Sequence, residues 1–227
     1  MNRSQAIRWH EFDNLPNFEQ AAGEFILHAS EQAIAANGAF RIVLAGGSTP
    51  RNIYRQLCEV DTDWSAWNIY FGDERCLPVR DPERNSRMAR DAWLGRVAIP
   101  SRQIHTIPAE LGPEAGALRY ARELAGVGDF DLVLLGLGED GHTASLFPGG
   151  DWERATALPA VIPVHDAPKP PAQRVSLSPE RLSRARQVVC LVGGETKRDA
   201  IENWRAGANL PASRICPDAG VDVFMCV

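Results

Sequence analysis

Residues 131–149, DLVLLGLGEDGHTASLFPG, drive an apolar strand into a glycine-punctuated loop that carries Asp140 and His142. Leu132 to Leu135 is an unbroken apolar run of strand length, the pattern of a strand buried on both faces of a parallel sheet. Gly136, Gly138 and Gly141 then let the backbone turn sharply and approach a ligand. In open α/β sheets ligands sit just past the carboxyl ends of the strands, so a histidine on such a loop stands where chemistry is done. Taken alone, a single histidine fits a solvated surface turn better. What surrounds it decides.

Around this strand, helices and strands alternate. An apolar stripe of Phe25, Ile26, Ala29, Ala33 and Ile34 predicts a helix from Phe18 to Ala36, stopped by Asn37-Gly38. Strand Phe40 to Ala45 follows, then a helix from Pro50 to about Val60, strand Asn68 to Phe71, and a helix from about Ser86 to Arg96. A helix from roughly Glu114 to Ala125 leads into the Asp131 strand, and strand Gln187 to Val192 precedes a helix from Thr196 to Ala206. This βαβα order predicts a doubly wound α/β fold, a mostly parallel sheet with helices on both faces, in one domain spanning residues 1–227. The proline-dense section Pro159 to Arg174 is expected as an irregular excursion near one edge, either a lid or a stiff surface connection.

Composition narrows the function classes. A chain of 227 residues, 44% hydrophobic and 23% charged, has the make-up of an ordinary globular protein with one good-sized core. Its net charge of −5 argues against nucleic acid as a partner, so any cationic pocket is local. The N-terminal MNRSQAIRWHEF has no apolar signal-peptide core and no run approaches membrane-spanning length, so a cytoplasmic, membrane-free chain is expected. The 5 cysteines are scattered without metal-binding spacing and read as reduced, mostly buried small hydrophobes. Oligomeric state has no signature in the chain.

The surroundings of His142 come from four strand ends, each closed by glycine and polar residues: GGSTP at 46–50, GDER at 72–75, GLGEDGH at 136–142 and GGETK at 193–197. Parallel strands bring such ends to one edge, and converging loops of this kind make a binding crevice. In GGSTP, Ser48 or Thr49 is suited to cap a helix with Pro50 at its first position. Free N–H groups beside Gly46 and Gly47 then favour an anion, most plausibly a phosphate. Lys197 could neutralise the same phosphate, although a surface lysine would look identical. Asp73, Glu74 and Arg75 suit either a structural salt bridge or a site in which Arg75 meets an oxyanion or phosphate. Two formal matches fail. Residues 136–141 fit GxGxxG, but Glu139 and Asp140 would face a pyrophosphate and Pro148-Gly149-Gly150 stops a long helix. Around Ser48, GxSxG breaks at Pro50.

Taken in order, GGSTP, FGDERCLPVRDPERNSRMA, LGLGEDGHTASLFPG, APKPPAQRVSLS, the GxxK of Gly194 to Lys197, and LPASRI resemble the 6-phosphogluconolactonase family, from about Arg41 to Ile215. Arg198 after Lys197 departs from the alanine common there. The resemblance implies a Rossmann-like fold shared with glucosamine-6-phosphate deaminase, and hydrolysis of 6-phosphogluconolactone in the oxidative pentose phosphate pathway. It implies His142 as general base toward water, Asp140 orienting it or capping backbone, Arg75 steadying substrate or developing charge, and Asp73 positioning Arg75 or sugar hydroxyls. Gly46, Gly47, Ser48, Thr49 and Lys197 would hold the 6-phosphate, with Gly141 also at the substrate and Arg174 and Arg186 as weaker phosphate candidates. Asn85 would hold the loop. A sugar-phosphate lactone is the implied partner, with no cofactor and no metal. The alternatives are a deaminase or isomerase using Asp73 as base, a serine hydrolase using Ser48, and a sugar-phosphate sensor, which would need an attached helix-turn-helix. The deaminase loops read differently, with an Asp-Glu-Tyr type motif and a DGHIAFNEP type run.

Overall fold

The computed structural model describes residues 5–227. In chain order the strands and helices are β1 Ile7–Glu11, α1 Leu15–Asn37, β2 Phe40–Leu44, α2 Ser48–Gln56, β3 Trp67–Phe71, β4 Asp73–Arg75, α3 Asn85–Ala89 and α4 Pro113–Leu124. There follow β5 Phe130–Gly136, β6 Val161–Val164, β7 Arg174–Leu177, α5 Pro179–Ser183, β8 Ala185–Gly193, α6 Arg198–Arg205 and β9 Val221–Cys226. Six strands form a parallel sheet in the order β1-β9-β8-β5-β2-β3. β5 lies in its middle, between β8 and β2. Every residue of β5 from Phe130 to Leu135 is buried, as its unbroken apolar run predicts; each large apolar side chain so removed from water stabilises the fold by about 1.5–3 kcal/mol.

Two buried tyrosines tie helices to the strand ends that carry the loops. Tyr54 of α2 bonds through its hydroxyl to the backbone N–H and carbonyl of Ala45, both at 3.0 Å. Tyr120 of α4 accepts from the N–H of Phe71 at 3.1 Å. These phenols bury their rings and still satisfy their polar ends, so the exits of β2 and β3 are fixed from behind.

Four expectations need correction. β1 and β9 were not anticipated, and they extend the sheet on one side. Pro159 to Arg174 is not irregular throughout: β6 pairs antiparallel with β7, and β7 with β4, in a second sheet of 3 strands. The expected helix from Ser86 to Arg96 is α3 followed by one wide turn at Arg90–Leu94, closed by Gly95 N–H to the Arg90 carbonyl. Ser48 and Thr49 do not cap α2: Gly47 holds the cap position, Ser48 begins the helix, and Pro50 is its third residue, two positions deeper than expected.

Candidate active site

The four glycine-ended loops meet at the carboxyl edge of the large sheet around a cavity of about 380 Å³. Gly46 to Thr49 form one wall, Asp73 and Arg75 a second, His142 a third, and Gly193 with Lys197 a fourth. The 165–173 segment between β6 and β7 closes the ring through Lys169 and Pro170. The volume lies within the usual range for small-ligand pockets.

His142 is held from both sides of its ring. Its Nδ1 lies 2.5 Å from Asp140 Oδ1, and its backbone N–H donates to the same oxygen at 3.2 Å. Phe147 packs against the ring with centroids 4.5 Å apart. Only 18% of the side chain is exposed. Burial opposes ionisation of Asp140, but the hydrogen bond and charge of His142 together hold its carboxyl below the usual carboxylate range. An ionised Asp140 is acceptor only, so the proton is assigned to Nδ1 and Nε2 keeps its lone pair. Among the described residues Nε2 has no hydrogen-bond partner. Burial pulls the His142 pKa below its ordinary value, against the opposing pull of Asp140. The ring therefore stays neutral at neutral pH, as a base requires. This packing needs a bare backbone beneath it: a Cβ on Gly138 would stand 1.9 Å from His142 Nδ1.

GDER splits into two jobs. Asp73, 6% exposed, accepts from Asn85 Nδ2 at 2.9 Å and from Ser145 Oγ at 2.6 Å while facing the cavity. Glu74 is fully buried and turned away from the cavity's lining; it accepts from the N–H groups of Arg75 at 2.9 Å, Asn85 at 2.7 Å and Ser86 at 2.9 Å, with Arg84 Nε at 3.4 Å. The structural salt bridge and the site residue thus both exist, side by side. Arg75 donates through Nη1 to the Glu83 carbonyl, and its buried Nε has no partner among the described residues. Asn85 was expected to hold the loop, and does so through Asp73, but it also lines the cavity.

Lys197 stands beside the start of α2, its Nζ 3.6 Å from Glu139 Oε1 and 22% exposed. The free N–H groups at the start of α2 and this ammonium face one cavity, a combination suited to an anion. Arg174 lines the same cavity, yet it donates to the carbonyls of Lys169 at 2.8 Å, Pro170 at 3.3 Å and Pro171 at 3.0 Å. Gly141 and Asp140 lie behind the wall rather than on it; the Gly141 carbonyl accepts from Ala212 N–H at 3.3 Å.

Arg186 is not brought to this site. It is the second residue of β8, so it lies at the amino edge of a parallel sheet, with Nε 3.4 Å from Asp131 Oδ1 at the start of β5. Lys169, conversely, lines the cavity without having been singled out, because the proline-dense segment carrying it gave no periodic signal.

Known proteins resemble this chain in sequence and in fold. The family model described as glucosamine-6-phosphate isomerases/6-phosphogluconolactonase matches residues 14–224. The 6-phosphogluconolactonase of Mycobacterium leprae is 37% identical over 214 residues, covering 88% of this chain and 85% of that protein. That of Synechocystis is 41% identical over 179 residues, covering 75% and 73% respectively. Among solved structures, 6-phosphogluconolactonase from Thermotoga maritima superposes with a TM-score of 0.89 at 26% identity, covering 97% of this chain and 99% of that one.

Proposed function

Because this chain belongs to the glucosamine-6-phosphate isomerase/6-phosphogluconolactonase family, we propose that it hydrolyses 6-phosphoglucono-1,5-lactone to 6-phosphogluconate, a step of the pentose phosphate pathway, with His142 as general base. One observation carries the mechanism: a neutral, oriented imidazole with a free Nε2 shares a cavity with an anion-binding helix start. Nε2 takes a proton from water as the water oxygen bonds to the lactone carbon, and the carbonyl electrons move onto oxygen. Collapse restores the carbonyl and breaks the ring C–O bond, whose electron pair leaves on the ring oxygen. The imidazolium returns its proton to that oxygen, and the new carboxylic acid ionises into solvent.

Asp140 stabilises the transient imidazolium and fixes its tautomer, the role of a buried carboxylate behind a catalytic histidine. Arg75 faces the developing negative charge, and Asp73 meets sugar hydroxyls. Gly46 to Thr49 and Lys197 anchor the phosphate, which sets the carbonyl against His142. The deaminase alternative is disfavoured at one position. Where its DGHIAFNEP run has a carboxylate before proline, this chain has Phe147, packed on His142. No disulfide joins the 5 cysteines among the described residues, which suits the reducing cytoplasm.

The test is freshly generated 6-phosphogluconolactone, with hydrolysis followed against its spontaneous opening; ammonia release from glucosamine 6-phosphate instead would establish the other chemistry. Lys197→Ala should lower kcat/KM about tenfold to a hundredfold on the phosphorylated lactone and leave unphosphorylated gluconolactone almost untouched, the loss expected of one charge-assisted hydrogen bond.

A further inference from the structure

The chain has 24 basic residues, and only Lys169 and Lys197 among them are lysine. Both line the cavity at the carboxyl edge. Arginine serves everywhere else, including every ion pair that a lysine or arginine makes outside that cavity among the described residues. A lysine differs from arginine in being a compact, rotatable point charge on a flexible stem, which suits a charge that changes shape and position.

The two lysines differ in their surroundings. Lys197 sits by the start of α2 and is drawn to Glu139. Lys169 has no ion-pair partner among the described residues, and its charge acts on His142. The charged groups that face the His142 ring are Asp140 from its own loop, Asp73 from β4 and Lys169 from the segment joining β6 and β7. That segment is held in place. The buried Arg174 guanidinium binds three successive carbonyls, beginning with that of Lys169 itself at 2.8 Å, and Ala167 N–H closes the turn onto the Ala172 carbonyl at 3.0 Å.

Building on the lactonase reading, we infer that Lys169 is a second cation at the reacting end of the pocket, beside Arg75: its ammonium binds the negative charge developing on the lactone carbonyl oxygen and then the carboxylate of the product, with Arg174 as its positioning residue. The substrate carries a phosphate at one end and acquires a second anionic centre at the other only as water adds. His142 marks the second end, since its Nε2 must reach the water attacking the carbonyl carbon. A cation there binds the transition state more tightly than the neutral ground-state carbonyl, and such differential binding raises kcat. Lys197 instead binds a charge that is present throughout.

The experiment compares Lys169→Met and Lys169→Arg with the wild type on 6-phosphogluconolactone and on unphosphorylated gluconolactone. Lys169→Met should lower kcat on both lactones by the same factor, about tenfold to a hundredfold, with little change in KM for the phosphorylated substrate. The acid limb of kcat/KM should also move to higher pH, because a positive charge facing His142 is gone. Lys169→Arg keeps the charge and should leave that limb where the wild type has it. A kcat within about twofold of wild type, or a loss confined to the phosphorylated lactone, would overturn the inference; so would an unmoved acid limb in Lys169→Met, which is what a merely structural residue gives. A wild type that failed to accelerate lactone opening would bring down the lactonase reading itself, a result separable from any of these.

Discussion

His142 and His10 both sit against an aspartate, and only one of the two pairs is arranged for chemistry. His10 Nε2 lies 2.8 Å from Asp222 Oδ1, much as His142 Nδ1 lies 2.5 Å from Asp140. Both carboxyls resist burial and are held below the usual range by their partners. The distances and the charges are alike. The surroundings are not. Asp222 is also gripped by Arg8 through Nε at 2.8 Å and Nη2 at 2.6 Å, so its charge is already answered before the imidazole contributes. His10 lies on the edge strand β1, its ring against Phe224, and its side chain is 39% exposed. Asp140, by contrast, has His142 as its one side-chain partner among the described residues, and the free nitrogen of that ring belongs to a residue walling a cavity. A histidine–carboxylate contact is therefore no signature of a site. Exclusive use of the carboxylate, together with an open nitrogen at a pocket, is.

The strongest way to break this contrast is to remove each ring. His142→Ala should lose on the order of 10² or more in kcat without unfolding, the scale of a general base, whereas His10→Ala should stay within about twofold of wild type. Equal losses, measured as steady-state hydrolysis by the folded variants, would erase the distinction. Next comes Asp140→Asn, which should cost about tenfold or more in kcat because the ring loses its tautomer and orientation. Only neutral His142 is a base, so kcat/KM is full above its pKa and falls as pH drops through it; burial sets that limb on the acid side of the ordinary imidazole value near 6.5. Removing the Asp140 charge moves the limb further toward acid, and a profile corrected for spontaneous opening would read the shift directly.

Smaller effects belong to the other pair. Asp222→Ala leaves Arg8 and His10 unanswered and should cost about 1.5–3 kcal/mol of stability, seen as a melting midpoint lowered by several degrees with kcat per folded molecule unchanged. A drop in kcat larger than the drop in folded fraction would show that this edge of the sheet communicates with the cavity. Smallest of all, Arg186→Ala should leave KM for the phosphorylated lactone unchanged, since its guanidinium faces Asp131 at the amino edge.

Much of the frame was legible because β2, β3, β5 and β8 are apolar runs that end in glycine, the signature of buried parallel strands. The unread strands each lacked that signature for a local reason. Asp222 interrupts the run of β9, and β1, at the sheet's edge, mixes apolar with charged residues. β4 is three charged residues that are extended only because β7 pairs with them. β6 contains Pro163, which is tolerated because this strand is the edge of its small sheet. Site residues divided in the same way. Most of those on loops directly after apolar strands came together as expected, Gly141 excepted, while Arg186 went astray because a residue at the start of a parallel strand lands on the opposite edge. Lys169 was hidden in a proline-dense stretch, and its signal was scarcity: it is one of two lysines among 24 basic residues.

Gly46 and Asn85 constrain how this molecule can vary by descent. A Cβ on Gly46 would stand 2.0 Å from Asn85 Oδ1, and the same Asn85 amide donates to Asp73 on the neighbouring wall. Position 46 is thus closed to every larger residue for as long as asparagine occupies 85. Trimming position 85 first would open room there but would deprive Asp73 of its donor. Neither step is tolerable ahead of the other, so the two sites can change only as a coordinated pair. A saturation library should recover substitutions at 46 solely in clones already altered at 85, which would make the wall between phosphate loop and carboxylate a barrier to gradual divergence.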